Sequence, residues 1–194
     1  MPLHPVMTGE NVHLARLRRE NLPQIIRPFA NLELTTYIGG RGWTASEAEQ
    51  AEWLDKNLKN PADGMLFGIY DFGETLIGGV DLRGIDYRTG TAELGIALYE
   101  PEIWGGGYGS EAVRLICQYG AFHLGLHNIM LKVFGFNVRA IRAYEKVGFR
   151  EIGRRREAVR LGQERFDEVY MDLLTSTLDL SALRRQIRQL PALD

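Results

Sequence analysis

The run Trp104-Gly105-Gly106-Gly107-Tyr108-Gly109-Ser110-Glu111-Ala112 constrains this chain more than any other stretch. It follows an apolar segment, TAELGIAL, and precedes residues with helical spacing: Ala112, Leu115, Ile116, Tyr119 and Phe122 share one face, and Gly125 follows as a C-terminal cap. A glycine loop between strand and helix is a cradle for an anion. Glycines let the backbone approach a phosphate without interference from Cβ, and the helix start contributes unpaired N–H groups at the positive end of the helix dipole.

Three phosphate-binding architectures compete for such a loop. Gly107 to Ala112 matches the dinucleotide pattern GxGxxA, but that reading needs an acidic residue about 20 positions on to bond a ribose hydroxyl, and no Asp or Glu occurs from Ala112 through Tyr144. The P-loop reading needs Gly-Lys followed by Ser or Thr, and the chain has no Gly-Lys pair. What remains is a pyrophosphate held by loop amides alone, with the rest of the ligand bound elsewhere.

The surroundings of the loop read as alternating strands and helices. Val12, Leu14 and Leu17 predict a first strand, with a helix starting near Arg19 or Glu20. Ser46 and Glu49 form a capping box for a second helix, which Asn60, Pro61 and Gly64 stop. The segment from Ala30 to Trp43, with Gly39, Gly40 and Gly42, reads as a mobile, substrate-facing loop. Residues 66 to 98 predict a three-stranded meander, and after the glycine-loop helix come the strand IMLKVFGF, a short helix from Asn137 to Val147 closed by Gly148, and the strands FREIG and EVYMDLL. A final helix carries Leu183, Ile187 and Leu190 on one side; it packs on a partner copy, as in a homodimer, or frays.

The segment NVRAIRAYEKVGF, from Asn137 to Phe149, completes a pattern. A strand, WGGGYG, a helix, another strand and then this segment resemble the GNAT superfamily of acyl-CoA-dependent N-acyltransferases. The first motif is similar to that family's pyrophosphate loop, Q/R-x-x-G-x-G/A, and the second to its N-x-x-A-x-x-x-Y-x-x-x-G-F segment. The match is strongest from Ala92 to Phe149 and extends weakly to about residue 174. Within the family it is most similar to the ribosomal-protein N-terminal and spermidine acetyltransferases, a branch that often has Trp where the general pattern has Gln or Arg, as Trp104 does here.

The resemblance implies an α/β fold: a central, mostly antiparallel, splayed mixed sheet flanked by helices, forming one N-acetyltransferase domain over residues 1–194, with a core of about 10–174 and a C-terminal extension at 175–194. It implies acetyl-CoA as the acyl donor. Pyrophosphate would lie on Trp104, Gly105, Gly106, Gly107, Tyr108, Gly109 and Ser110, and the pantetheine arm on the backbone of Ile96, Ala97 and Leu98, one amide of which could steady an oxyanion. Asn137, an N-cap in its own right, would also bond the arm or a water beside it, with Ala140 and Tyr144 along the same helix.

Acetyl transfer to an amine needs a neutral nucleophile, yet a lysine-like amine with a pKa near 10.4 is deprotonated to only about one part in 10³ at pH 7. Glu93 stands where several members of the family carry a catalytic glutamate, and would act as base directly or through water. Its alternative is a solvent-facing residue, since Ala92, Leu94, Ile96 and Leu98 form the apolar set of that strand. Tyr144, seven residues after Asn137, occupies the family's general-acid position and would protonate the departing thiolate; the alternative is a core tyrosine.

Other features exclude competing chemistry. Lys plus Arg number 23 and Asp plus Glu 25, a formal charge of −2 that offers no broad positive field for nucleic acid. Cys117 is alone, so neither an intramolecular disulfide nor a cysteine zinc site forms, and it reads as a packed small residue on the side of its helix opposite the apolar stripe. His123 and His127 lack a nearby third ligand, so no metal is expected. Arg154-Arg155-Arg156 reads as a solvated face. The chain opens without a secretory or transit pattern and its longest uncharged run, Leu115 to Leu131, falls short of a bilayer span; a cytoplasmic protein without a membrane partner is expected. The expected function is acetyl transfer from acetyl-CoA to an amine such as a protein N-terminus or a polyamine, the alternative being an acyl-CoA sensor with the same fold and no turnover.

Overall fold

The computed structural model describes residues 3–39, 46–59 and 64–188. In chain order the strands and helices are β1 (Pro5–Thr8), β2 (Val12–Ala15), α1 (Leu22–Phe29), α2 (Leu32–Gly39), α3 (Glu47–Leu58), β3 (Gly64–Asp71), β4 (Leu76–Asp86), β5 (Thr91–Leu98), α4 (Tyr108–His123), β6 (Asn128–Phe134), α5 (Val138–Val147), β7 (Arg150–Leu161), β8 (Glu164–Leu174) and α6 (Ser181–Arg188). The strands form one sheet in the order β1-β2-β3-β4-β5-β6-β8-β7. Every neighbouring pair is antiparallel except β5 and β6, which are parallel and joined through α4. This is the mixed, mostly antiparallel sheet with flanking helices that the family resemblance implies.

Period-2 alternation in β3, β4 and β5 sends apolar side chains to both faces, so the sheet carries a helical layer on each. On one face α4 packs Ala112, Val113, Ile116 and Cys117 against Val80, Leu82, Ala92, Leu94 and Phe67. On the other, Ile25 of α1 and Leu54 of α3 close over Ala15, Leu66, Tyr70 and Tyr99. The buried face of α4 is wider than the expected stripe: Cys117 lies within the core rather than opposite it, fully buried. Among the described residues no helix is long and apolar enough to cross a membrane.

Three local expectations change. The stretch beginning at Ala30 is not simply a loop, because Asn31 accepts the Glu33 N–H at 2.8 Å and starts α2, which buries Leu34 and Thr35; residues 40–45 lie outside the described residues. The strands expected at FREIG and EVYMDLL are the inner ends of a hairpin whose strands run 12 and 11 residues. Charged residues cover both faces of β7, so the alternation that marks a half-buried strand is missing there. An N-terminal strand, β1, precedes the first expected one. At the other end α6 forms and Leu183 packs against the core, while the side chain of Ile187 and all of Leu190 lie outside the described residues.

Candidate active site

The sheet opens at one place. β5 and β6 pair at Thr91–Asn128, Ala92–Ile129 and Glu93–Met130, and the ladder then stops. β5 continues to Leu98 held by β4, and β6 continues to Phe134 held by β8, so the inner edges of both strands lie exposed to each other across a cleft. The Tyr99 N–H donates to the Ile77 carbonyl at 2.9 Å, which fixes the register: residues 93, 95 and 97 bond β4, and beyond the last β5–β6 pair the Leu94 carbonyl and the main-chain groups of Ile96 and Leu98 face the cleft. Ala97 lies between the last two with its amide turned to β4. An extended ligand lying in the cleft therefore meets a row of strand donors and acceptors.

At the mouth of the cleft stands the glycine loop. Gly105 and Gly107 have φ of 85° and 91°, a left-handed backbone that favours glycine. Gly107 is the N-cap of α4, whose first intrahelical bond runs from the Glu111 N–H to the Gly107 carbonyl at 3.0 Å. The N–H groups of Tyr108, Gly109 and Ser110 are thus left without a helix partner, at the positive end of a 16-residue helix. Gly106 closes the preceding turn through its N–H to the Ile103 carbonyl at 3.3 Å. The loop leads out of β5, and Trp104 ties the two together by donating its indole N–H to the Leu98 carbonyl at 3.3 Å.

The far wall is α5. Asn137 caps it, its side-chain oxygen accepting the Ala140 N–H at 3.2 Å. Ala140, Ile141 and Tyr144 pack half-buried against the core beside α4, and Gly148, at φ 114°, ends the helix. Tyr144 lies against Phe149 with ring centroids 5.9 Å apart. Burial pushes the Tyr144 phenol up to about 12, and its hydroxyl bonds no other side chain among the described residues. It keeps its proton until a stronger base is presented.

Glu93 closes the bottom of the cleft, at the last β5–β6 pair. Its side chain projects to the face opposite α4, as the alternation predicts, but not into free solvent: the carboxylate pairs with Lys132 Nζ on β6 at 3.0 Å and Arg83 Nη2 on β4 at 3.5 Å. Sequence reasoning missed these partners, since only the strand order makes them neighbours. It also missed two supports of the loop. The Glu111 carboxylate accepts the N–H of Glu10, the N–H of Asn11 at 3.0 Å and the Asn11 side chain at 2.9 Å, pinning the first turn of α4 to the β1–β2 turn. The Arg139 guanidinium lies 4.0 Å from the centre of the Trp104 ring, and Tyr37 of α2 meets the same ring edge-on at 5.5 Å. A contact separated by 100 residues leaves no local signal in sequence.

The other candidates have structural places. Cys117 is buried and its thiol pushed far up by the loss of solvent, so it holds no reactive thiolate. The His123 ring lies tilted against Tyr119 with centroids 5.0 Å apart, and the His127 backbone N–H bonds the Gly90 carbonyl. Among the described residues no three His, Cys, Asp or Glu side chains converge as a metal would require. Arg154 pairs with Glu151 at 2.7 Å on the exposed β7.

Comparison with known proteins bears on the family and the fold. The acetyltransferase (GNAT) domain matches residues 11–150. The prophage-derived uncharacterized N-acetyltransferase YokL of Bacillus subtilis is 24% identical over 152 residues, 78% of this chain and 83% of that protein. The spermidine N(1)-acetyltransferase of Vibrio cholerae is 33% identical over 105 residues, 54% of this chain and 60% of that protein. A solved structure of the Vibrio cholerae spermidine N-acetyltransferase in complex with CoA and spermine has a TM-score of 0.77 at 28% identity, covering 85% of this chain and 96% of that one. A dodecameric structure of the same enzyme has a TM-score of 0.71 at 28% identity, covering 85% of this chain and 94% of that one.

Proposed function

Because the chain belongs to the GNAT family of acetyltransferases, we propose that it transfers an acetyl group from acetyl-CoA to a primary amine by direct attack in a ternary complex. The observation that carries this reading is the cleft: two parallel strands that part after Glu93 and Met130, with a row of unpaired amides at its mouth. The diphosphate lies on residues 104–110, where the helix end favours an anion by about 0.3–1 kcal/mol per charge and more when partly buried. The pantetheine arm lies along Ile96, Ala97 and Leu98, and Asn137 and Ala140 border it from α5.

The chemistry follows from which groups flank the cleft. The acceptor ammonium gives one proton to Glu93, directly or through water, and the neutral nitrogen attacks the thioester carbonyl carbon. A strand amide facing the cleft steadies the oxyanion. The C–S bond then breaks, the thiolate takes the Tyr144 proton, and the phenol is restored by the second proton of the nitrogen. Atoms balance as ammonium plus thioester giving amide, thiol and one proton. Glu93 acts from within an ion pair, so Lys132 and Arg83 hold its position between turnovers.

The acceptor class we favour is a cationic amine, a polyamine or a protein N-terminus, and the likeness to an enzyme that acts on spermidine supports it. The cytoplasm, where acetyl-CoA and reduced thiols coexist, is the compartment we assign. Association of copies is consistent with a dodecameric neighbour. The test is thiol release from acetyl-CoA against a panel of amines. Turnover with one or more supports the enzyme. Tight binding of acetyl-CoA with turnover on none makes the chain a sensor, and absence of binding removes the reading.

A further inference from the structure

Asp81 of β4 stands directly opposite Gly95 of β5, two residues above Glu93 and just past the point where β5 leaves β6. Its side chain lies over the glycine: a methyl group added at Gly95 would run into the Asp81 carboxylate and would come within 2.8 Å of Arg83 Nη2. A side chain at 95 would therefore fill the space that these two groups use. Arg83 sits between the carboxylates, 3.7 Å from Asp81 and 3.5 Å from Glu93. It is the looser partner, with its side chain 58% exposed against 28% for each carboxylate.

The direction of approach to the cleft is set by what already fills the other face. There Leu94, Ile96 and Leu98 pack under α4 and its neighbours, and on the opposite face Ala97 packs against the α1–α3 cluster, so an acceptor reaches a thioester in the cleft beside that cluster, over Glu93 and Gly95. We propose that Asp81 selects a cationic acceptor, whose ammonium takes the place of the Arg83 guanidinium between Asp81 and Glu93 and so arrives over Gly95 beside the thioester. The inference deepens the acetyl-transfer reading and rests on it.

The charges close. Asp81 and Glu93 carry two negative charges, and Arg83 and Lys132 two positive ones. With Arg83 swung into solvent the set is left one positive charge short, which a single ammonium supplies. The Asp81 side chain is largely withdrawn from solvent, and the burial that raises its carboxyl above the ordinary aspartate value also favours a close cation beside it. A neutral or anionic acceptor gains nothing from the exchange.

Steady-state kinetics on spermidine, cadaverine and a tetrapeptide with a free N-terminus test this, with acetyl-CoA affinity measured in parallel by calorimetry. Asp81→Asn raises KM for the best cationic acceptor at least tenfold with kcat changed less than threefold, and Asp81→Glu restores KM to within about threefold. Arg83→Ala, which removes the internal competitor, shifts KM the opposite way, lowering it threefold or more. A structural role for the pair would move both variants in one direction. The inference is overturned if KM in Asp81→Asn stays within twofold, if both variants raise KM, or if the wild type uses no cationic amine. Should acetyl-CoA bind all forms equally in those cases, only the role of Asp81 fails; if the wild type does not bind acetyl-CoA, the acetyl-transfer reading fails with it.

Discussion

Replacing Tyr144 by Phe removes one hydroxyl and nothing else, and its effects on rate, affinity and stability separate cleanly. The hydroxyl bonds no other side chain among the described residues, so its loss costs about 1 kcal/mol of stability or less. The ring keeps its place against Phe149. General acid catalysis contributes about 10²–10⁴ in rate, or about 2.7–5.5 kcal/mol at 1.36 kcal/mol per tenfold. We expect kcat of Tyr144→Phe to fall by at least two orders of magnitude while acetyl-CoA affinity stays within threefold, measured by thiol release and by calorimetry. With the phenol raised to about 12 by burial, the wild type keeps this proton from pH 6 to 10, where an ordinary tyrosine is half ionised at the upper limit. The wild-type profile accordingly shows no alkaline decline from this group below pH 10, and the variant's profile runs parallel and lower. Above pH 10 the unfolded chain ionises this residue while the folded chain does not. Its contribution to stability is complete below pH 10 and declines towards pH 12, and Tyr144→Phe abolishes that decline. A kcat within threefold of wild type refutes the acid role.

Acetyl-CoA at 100 times its dissociation constant adds about 2.7 kcal/mol of stability, a rise in Tm of about 5–10 °C for a chain of this size; no rise in a thermal melt contradicts donor binding. Gly107→Ala forces a side chain into the left-handed backbone at the N-cap of α4. It costs about 1–2 kcal/mol, and because the strain is relieved by moving the loop amides, acetyl-CoA affinity falls about tenfold; a calorimetric Kd equal to wild type shows the amides are not the diphosphate seat. Glu111→Gln keeps the shape of the anchor on the β1–β2 turn but removes the charge that strengthens its hydrogen bonds from three donors. On an exposed site this lowers stability by about 1 kcal/mol, read as a smaller urea midpoint with an unchanged slope; an unchanged midpoint assigns the anchor no energetic role.

How much of this was legible beforehand depends on the range of the contact involved. Ser46 with Glu49, Asn137 with Ala140 and Gly148 after Val147 are caps made within four residues, and each appears in the structure as its spacing predicts. The meander from β3 to β5 was readable because alternation and short turns are local too. The edge hairpin was half lost because β7 has no buried face along most of its length, so the charges of Arg154, Arg155 and Arg156 resemble those of a loop. α2 was hidden by the glycines that follow it and by a β-branched pair, Thr35 and Thr36, yet each threonine hydroxyl is absorbed by the Leu32 carbonyl of its own helix. At the site, the glycine loop and the Asn–Tyr spacing were local patterns, whereas the partners of Glu93 come from β4 and β6, and no spacing in the chain encodes a neighbour relation that the strand order creates.

That strand order also bears on the proposal that one cleft takes two reactants of opposite charge. The donor's diphosphate needs positive potential, which backbone amides of α4 provide without any lysine or arginine in the loop itself. A cationic acceptor needs negative potential a few ångströms away, and the two would cancel if both came from mobile side chains on one surface. Here the positive source is a helix end fixed at the cleft mouth, and the negative source is Asp81 and Glu93 on the face of the sheet turned away from that helix. The parted strands are the place where the two faces meet, because among the described residues β5 past Glu93 pairs with no strand on the β6 side. Arg83 and Lys132 pair with these carboxylates at rest, so under the proposal the arrangement would bind its anion without first expelling a cation from the loop, and would exchange a cation only where the amine arrives.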